Sequence, residues 1–247
     1  MGGGALTDAA GFVAATYLRG LESIYVPTTL LGAVDASLGG KTAVNLGAKN
    51  LVGVFHHPAR VVVDADLLDA LPVVLKREGA AEAVKAGLIG DPGLLDLFEQ
   101  DGMEADLEAV VHRALAVKAG VVERDPLERG ERIHLNYGHT VGHAVEVVCG
   151  LRHGVAVAVG MVAAGRASAR LLGFTAEERQ RDLIGHLGLP VAVPGAAAGA
   201  VQDLVRLDKK RDATGLRMVL LEALGAPRVE HVDSATVEAA LEAIGVS

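Results

Sequence analysis

The chain has 247 residues, of which 51% are apolar and 22% are charged, so it can bury a sizeable core in one domain or two small ones. This composition excludes a disordered protein. A formal charge of −8, an aromatic content of 3% and the absence of tryptophan argue against a nucleic-acid-binding surface, which needs positive charge and stacking side chains.

Residues 1–72 show the alternation of short apolar strands and helices that is typical of an α/β domain. Three glycines lead into a helix predicted over residues 7–20, with Thr7 as its N-terminal cap. Because such a glycine-rich turn normally follows a strand that aims it at a phosphate, the chain is expected to begin in the middle of a nucleotide-binding fold. Further elements are strands at residues 24–26 and 61–63, helices at 28–34 and 67–71, and a glycine-rich loop at 39–41.

From residue 73 the apolar residues follow helical spacing, which predicts a mainly helical second domain over residues 73–247. A β-hairpin is predicted late in this domain, over residues 218–221 and 229–232, before a last helix over residues 234–244. The other predicted helices cover residues 80–89, 94–98, 107–122, 142–148, 155–172 and 176–187.

Three features predict a cytoplasmic protein. The longest apolar run, residues 154–165, is shorter than the roughly 20 residues of a membrane-spanning helix, so it is expected to form a buried helix. No basic and apolar leader opens the sequence, which gives no indication of export. Cys149 is the only cysteine, which excludes an internal disulfide and fits a reducing compartment.

Three histidines and one glutamate have the chemistry of a metal site. His139 and His143 are four residues apart and can share one face of a helix, and His153 comes just before the buried apolar run. Glu82 lies among alanines and valines, where a carboxylate is costly to bury unless a metal or another cation pairs with it. The alternatives are a surface histidine pair and an ion pair between Glu82 and Lys85, one helical turn further on.

Several basic residues would form a site for a phosphorylated and carboxylated substrate if the fold drew them into one cleft. Arginine would give bidentate contacts and lysine would give point charges. For the basic run at residues 209–211, spacing alone favours a solvated turn. The basic residues in question are Lys41, Lys49, Lys118, Arg132, Lys209 and Lys210.

The order and the amino-acid sequences of these segments resemble those of the 3-dehydroquinate synthases, a family of sugar phosphate cyclases, along almost the whole chain. Any one segment could match by chance, but the ordered series is specific. The resemblance implies a Rossmann-like α/β NAD-binding domain, truncated before residue 1, and a mainly helical metal-binding domain. The matching segments are residues 2–12, 15–20, 26–31, 34–35, 39–42, 49–50, 81–82 with 85, 135–140, 142–144, 153–154, 156–157 and 208–210.

The resemblance also implies roles for individual residues, by motif match. The metal ligands would be Glu82, His139 and His153. The catalytic contacts would come from Lys85, Lys118, Arg132, Asn136 and His143. The substrate would also be held by Arg19, Lys41, Asn50 and a lysine of the pair Lys209 and Lys210, with Arg19 reaching the site of a neighbouring subunit in a homodimer. NAD would be held by Gly3, Gly4, Asp8, Thr28, Thr29, Asp35 and Lys49.

The reaction implied is the conversion of 3-deoxy-D-arabino-heptulosonate 7-phosphate to 3-dehydroquinate and phosphate in the shikimate pathway, with NAD and Zn²⁺ or Co²⁺ as cofactors. In that family the substrate is oxidised, loses phosphate by β-elimination, is reduced again and closes by an aldol step. Three alternatives remain: another sugar phosphate cyclase such as 2-epi-5-epi-valiolone synthase, a metal-dependent polyol dehydrogenase, and a non-catalytic fragment.

Overall fold

The structure is a computed structural model that describes residues 1–46, 48–209 and 216–246, without the side chains of residues 48–50 and 206–209. Its first part combines one long helix with short strands, as the sequence predicts for an α/β domain. The elements are α1 (Gly4–Thr16), β1 (Ile24–Tyr25), β2 (Lys41–Leu46), β3 (Ala48–Phe55), β4 (Arg60–Val61) and α2 (Ala65–Asp69).

Strand β1 lies between two parallel neighbours. It pairs with β4 on one side, and on the other side Pro27, just beyond β1, forms a parallel bridge with Gly2. The amide of Gly2 donates to the carbonyl of Val26 at 3.0 Å, and the amide of Thr28 donates back to Gly2 at 2.9 Å. Gly2, the first of the three glycines, therefore pairs beside β1 in the manner of a strand residue, two residues before helix α1 begins.

Two helix starts in this part differ from the predictions. Helix α1 begins at Gly4, three residues before the predicted cap, and the Thr7 hydroxyl instead donates to the Gly4 carbonyl at 2.8 Å. The helix predicted over residues 28–34 is present but begins two residues later: residues 30–36 are helical, with a wider π turn at Gly32–Ala36, and the Thr29 hydroxyl accepts the amide of Gly32 at 3.1 Å. Apolar spacing alone does not specify at which residue such a turn begins.

An antiparallel hairpin of β2 and β3 was missed by the sequence analysis, which predicted only a loop at residues 39–41. Lys41 pairs with Phe55 at its open end. Its sequence alternates weakly and contains Gly53, which lowers strand propensity. Packing against α1 compensates: a Cβ atom at Gly11 would lie 2.5 Å from the Thr42 side chain, so the helix and the hairpin are in close contact.

The second part is helical, and every helix predicted for it is present. The predicted hairpin and last helix are also confirmed, whereas helix α9 was missed because it follows a run of Pro, Gly and Ala that resembles a loop. The helices are α3 (Val73–Ile89), α4 (Pro92–Asp101), α5 (Leu107–Arg124), α6 (His139–Cys149), α7 (His153–Leu172), α8 (Glu177–His186), α9 (Ala198–Lys209) and α10 (Ser234–Glu242), and the strands are β5 (Arg217–Ala223) and β6 (Ala226–His231).

Helix α7 is the centre of this part and packs against α3, α6, α8, α10 and β5. It has 20 residues, so its length and composition alone would allow it to cross a membrane. The sequence analysis did not predict this, because it considered only the shorter apolar run at residues 154–165. However, 67% of its apolar window is buried inside the protein, as the predicted core helix requires. The cytoplasmic location stays a prediction.

Glycines bring the helices around α7 unusually close. A Cβ atom at Gly154 would lie 2.2 Å from the Glu78 carbonyl oxygen, and one at Gly160 would lie 2.0 Å from the Gly138 carbonyl oxygen. Only hydrogen fits at these two positions, so α3 and the start of α6 can both touch the α7 backbone. This arrangement places side chains from three helices around the N-terminal end of α7.

The two parts of the chain share one apolar core. Leu30 and Val34 from the first part belong to the same buried cluster as Val84 of α3 and Val157 of α7. Helix α3 begins at Val73, next to the predicted division between residues 72 and 73. That division remains a prediction, because a shared core does not define two independent units.

Candidate functional site

A cleft of about 820 Å³ lies between α1, the β2–β3 hairpin and helices α3, α5, α6 and α7. The turn from α1 and the hairpin form one wall, and the helical part forms the other. Eleven of the residues singled out from the sequence line this cleft: Gly4, Asp8, Asp35, Lys41, Lys85, Lys118, Arg132, Asn136, His139, His143 and His153.

Glu82 meets His139 and His153 beside the cleft, and the two histidines line it. Glu82 is buried in the middle of α3, and the two histidines are the first residues of α6 and α7. The Nε2 atoms of His153 and His139 lie 3.4 Å and 3.7 Å from Oε1 of Glu82. One ligand atom from each of the three residues lies within 4.8 Å of the others, so they can share one ion.

The hydrogen bonds of the two imidazoles determine which ring nitrogen is free. Nδ1 of His139 lies 3.2 Å from the carbonyl oxygen of Tyr137, and Nδ1 of His153 lies 2.9 Å from Oε2 of Glu146. Because a carbonyl and a carboxylate only accept hydrogen bonds, both Nδ1 atoms carry the proton. In the neutral form of each ring Nε2 is therefore unprotonated, and in both residues it faces Glu82.

The charge states of Glu82 and the two histidines favour the binding of a cation. Burial alone would raise the pKa of Glu82, but Lys85 and the two imidazoles hold it well below its usual range. Burial and the charge of Lys85 lower the pKa of His139 to about 3, so this imidazole is neutral. Burial alone would lower the pKa of His153, but contacts with Glu82 and Glu146 outweigh it and raise the pKa.

The distances also fit a tetrahedral metal site. Ligand atoms about 2.0–2.2 Å from a zinc ion at tetrahedral angles are separated by about 3.3–3.6 Å, close to the 3.4 Å and 3.7 Å between Glu82 and the two histidines. Both oxygens of Glu82 are buried and, among the described residues, neither accepts a hydrogen bond of good geometry. Lys85 contacts one of them as an ion pair, so this alternative from the sequence coexists with the histidine cluster.

A second pair of opposite charges, Asp35 and Lys118, also lines the cleft. The ammonium of Lys118, on α5, lies 2.5 Å from both the carboxylate and the carbonyl oxygen of Asp35. Burial lowers the pKa of Lys118, and Asp35 only partly offsets this effect. Burial alone would raise the pKa of Asp35, but Lys118 and Lys85 outweigh it and lower the pKa. The pair links the first part of the chain to the helical part.

Asp8 lines the same wall of the cleft as Asp35, and the repulsion between the two carboxylates makes the charged form of Asp8 unfavourable. Burial and the Asp35 carboxylate raise the pKa of Asp8 from 3.8 to about 6, against the opposing effect of Lys118. We expect Asp8→Asn to raise the free energy of unfolding at pH 7 by about 1 kcal/mol. The two pKa units would correspond to ~3 kcal/mol, but Asp8 is only half-buried and water screens its charge.

The gain should depend on pH in a defined direction. As the pH falls from about 6 to 3.8, Asp8 takes up a proton in the folded protein before it does so in the unfolded chain, and the advantage of asparagine disappears. Urea unfolding of the wild type and Asp8→Asn at pH 7 and pH 4 measures this pH dependence. Asp101→Asn, at an exposed position at the end of α4, is the control. An equal gain at both pH values would contradict the explanation.

Arg132 is buried beside the cleft and is held mainly by the backbone. Its guanidinium donates to the carbonyls of Pro126 and Gly39, both at 2.7 Å, and lies over the Phe55 ring at 5.5 Å. Asp125 accepts the Arg132 amide at 3.0 Å and so fixes the loop that carries it. Arg132 therefore joins the helical part to the loop before β2.

Glu128 contacts two residues of the cleft lining and was missed by the sequence analysis. Its carboxylate lies 2.5 Å from the ammonium of Lys41 and accepts from the Asn136 amide at 3.3 Å. Its backbone has a φ of +56°, which is rare for a residue other than glycine. Spacing gives no indication of such a residue, since it lies in an irregular loop. Glu146 was also missed, although it lies three residues after His143 and shares its helix face.

Several predicted site residues do not line the cleft. Arg19 is exposed in the turn after α1, with a φ of +69°, and its predicted contact with a neighbouring subunit stays a prediction. Gly3, Thr28 and Thr29 support the turn behind Gly4 without lining the cleft. The side chains of Lys49, Asn50 and Lys209, and Lys210 as a whole, lie outside the described residues.

Two family models match the chain in succession. The first, "3-dehydroquinate synthase N-terminal", matches residues 1–78, and the second, "3-dehydroquinate synthase C-terminal", matches residues 79–211. Together they cover both walls of the cleft.

Curated relatives carry the same name. The 3-dehydroquinate synthase of Thermobifida fusca is 47% identical over 245 residues, which are 93% of this chain and 65% of the relative. That of Arthrobacter sp. is 46% identical over 257 residues, which are 99% of this chain and 70% of the relative. The chain thus spans about two thirds of the length of these relatives.

Solved structures with the same fold include two sugar phosphate cyclases. A 2-epi-5-epi-valiolone synthase from Streptomyces hygroscopicus, with NAD⁺ and Zn²⁺ bound, has a TM-score of 0.90 and 30% identity, covering 99% of this chain and 72% of that one. A 2-deoxy-scyllo-inosose synthase with carbaglucose-6-phosphate, NAD⁺ and Co²⁺ has a TM-score of 0.88 and 30% identity, covering 98% and 72%. The predicted fold class is therefore confirmed.

Proposed function

The chain belongs to the 3-dehydroquinate synthase family, and we propose that it converts 3-deoxy-D-arabino-heptulosonate 7-phosphate to 3-dehydroquinate and phosphate. The observation that carries this proposal is the grouping of Glu82 with His139 and His153 beside a cleft that is also lined by the buried cations Lys118 and Arg132. A metal site beside several ammonium groups suits a substrate that has both hydroxyl groups and an anionic phosphate.

Glu82, His139 and His153 would hold the divalent ion, Zn²⁺ or Co²⁺. Three protein ligands leave room for oxygen atoms of the substrate, as is usual in catalytic sites. When bound, the ion supplies Lewis acidity toward a substrate oxygen, and NAD supplies a reversible hydride acceptor. The relatives with NAD⁺ and either Zn²⁺ or Co²⁺ in their structures support this cofactor set.

The other cleft residues would bind and orient the substrate. Lys41, Lys118 and Arg132 line the cleft as cations and would hold the phosphate and carboxylate groups. Asn136 and His143 add polar contacts on the helical wall, and Lys85 keeps Glu82 ionised beside the ion. Because most of these groups are anchored by ion pairs or backbone contacts, the substrate would meet a cleft that is already organised.

NAD would lie against the wall formed by the first part of the chain. Gly4, Asp8 and Asp35 line that wall, and Gly3, Thr28 and Thr29 shape the turn behind it. The turn opens α1, and a helix N-terminus after a glycine-rich turn favours a pyrophosphate. We also infer a cytoplasmic homodimer in which Arg19 contacts the partner's site.

Another sugar phosphate cyclase activity is the second candidate. The two cyclase structures superpose over nearly the whole chain at 30% identity, whereas the curated 3-dehydroquinate synthases reach 46–47%. The closer sequence relationship favours dehydroquinate formation. The two candidates share the metal ligands, so the substrate that the protein accepts must distinguish them.

The proposed activity can be tested by following phosphate release from the seven-carbon substrate with NAD and Zn²⁺ present. We expect release that stops with a chelator, returns with Zn²⁺ and produces no net NADH. Other sugar phosphates and a simple polyol serve as competing substrates in parallel. Release only from another sugar phosphate would favour the second candidate, and NADH accumulation with the polyol would favour a dehydrogenase. No turnover with any of them would overturn the proposed activity of this chain.

A further inference from the structure

Glu146 lies outside the cleft lining but touches the metal cluster from behind. Its side chain is 17% exposed, and its Oε2 atom accepts a hydrogen bond from Nδ1 of His153 at 2.9 Å. It lies near the C-terminal end of α6, whereas His153 opens α7, so the contact closes the turn between the two helices. A carboxylate that holds the distal nitrogen of an imidazole keeps the other nitrogen free for a ligand bond.

The His153 ring needs such a contact more than the His139 ring does. His139 is 12% exposed and donates to the fixed backbone carbonyl of Tyr137. His153 is 29% exposed, and the turn before it contains Gly150 in a left-handed conformation with a φ of +63°. The orientation of His153 therefore depends on a side chain, whereas that of His139 depends on the backbone.

We propose that Glu146 is a positioning residue that fixes the ring orientation and the protonated nitrogen of His153, and so sets the affinity of the metal site. This inference rests on the proposed metal ligands Glu82, His139 and His153. Glu146 acts only through the imidazole and does not touch the ion. Removing it leaves the ring free to rotate about its side-chain bonds and to place its proton on either nitrogen.

The main competing possibility is a second ion held by Glu146 itself. His143, Glu146 and His153 also have ligand atoms within 4.8 Å of one another. Such an ion would have to replace the proton on Nδ1 of His153, which is already hydrogen-bonded to Glu146. The positioning role needs no such exchange, and the number of ions bound per chain distinguishes the two.

The test uses the metal-free protein and three variants, titrated with Zn²⁺ and with Co²⁺ by calorimetry. Glu146→Ala should weaken the affinity by about 10- to 100-fold, the usual effect of removing an outer hydrogen-bond partner of a metal ligand. The metal affinity of Glu146→Gln should lie between those of the wild type and the alanine variant, because the glutamine amide oxygen still accepts from Nδ1 but lacks the charge. Glu123→Gln, exposed on α5, should match the wild type.

The visible absorption of the Co²⁺ protein gives a readout that loss of stability alone would not change. We expect a shifted spectrum in Glu146→Ala and a nearly normal one in Glu146→Gln, with one ion bound per chain in the wild type. If the alanine variant does not fold, the metal affinity of the glutamine variant tests the proposal, and we expect it to be weaker than that of the wild type. Unchanged affinity and spectrum, or a second ion that is lost with Glu146, would overturn the proposal.

These outcomes are independent of catalysis. If the wild type binds one ion and the variants behave as expected, but no phosphate is released, the proposed activity fails and the role of Glu146 stands. If the wild type binds no ion, the metal ligands and the role of Glu146 fail together.

Discussion

Glu82→Gln is expected to abolish phosphate release and to weaken Zn²⁺ binding. The loss of affinity should exceed the about 10- to 100-fold effect of removing a hydrogen-bond partner of a metal ligand. The amide has nearly the same shape but lacks the charge that favours a cation. The change also leaves the buried ammonium of Lys85 without its main counter-charge. Breaking one side of such a pair usually costs about 3–5 kcal/mol of the free energy of unfolding.

A double variant separates the two effects. Replacing both members of the pair, as Glu82→Gln with Lys85→Met, should recover most of the stability because no unpaired charge remains buried. It should not recover metal binding. Urea unfolding measures the first quantity and calorimetry the second. A single variant that keeps both stability and Zn²⁺ affinity would show that Glu82 is not a ligand.

The stability difference should also depend on pH. The pKa of Glu82 in the folded protein lies well below its ordinary value of 4.5. Its charge therefore stabilises the fold fully above pH 4.5, and this contribution is lost as the pH falls through the folded pKa. The difference in free energy of unfolding between the wild type and Glu82→Gln should therefore become smaller as the pH falls through that range.

Gly160→Ala is expected to cause the second large effect, although Gly160 does not line the cleft. A Cβ atom there would lie 2.0 Å from the Gly138 carbonyl oxygen and 2.7 Å from the Gly142 amide nitrogen. Both are backbone atoms, so α6 must move away from α7. We expect a loss at the upper end of the about 1–3 kcal/mol that overpacking usually costs. Because His139 opens α6, Zn²⁺ affinity should fall with it.

Gly199→Ala provides a matched control. Gly199 is in helix α9, and a Cβ atom there would meet nothing within 4 Å. Alanine at this position should leave stability unchanged or slightly increased, since it reduces the freedom of the unfolded chain. Thermal unfolding and Zn²⁺ titration of both variants test the difference. Equal behaviour of the two would mean that the α6–α7 contact tolerates a wider separation.

The sequence predicted the helices better than the strands, for a physical reason. The helical part buries apolar residues at regular spacing, as at Val157 and Met161 of α7, and this spacing is visible in the sequence. The β2–β3 hairpin depends on its contact with α1, where Gly11 approaches Thr42. Such a contact joins residues far apart in the chain, and local spacing does not record it.

The candidate site divides in the same way. His139 and His143 were identified by their spacing, but the grouping of Glu82 with His139 and His153 came from the family resemblance. Spacing alone left an ion pair with Lys85 as an alternative for Glu82, and the structure contains that ion pair beside the histidines. Glu128 and Glu146 reach their partners only through the fold.

The close packing of α6 on α7 has a consequence for how the protein handles its ion. The histidine rings are oriented by helices that touch through backbone atoms and by bonds to Tyr137 and Glu146. Protein contacts alone therefore orient the proposed ligands His139 and His153, unlike the ligands of small domains that fold only around zinc. Metal should enter and leave by diffusion through the cleft, and a chelated sample should regain it on mixing without a slow refolding phase.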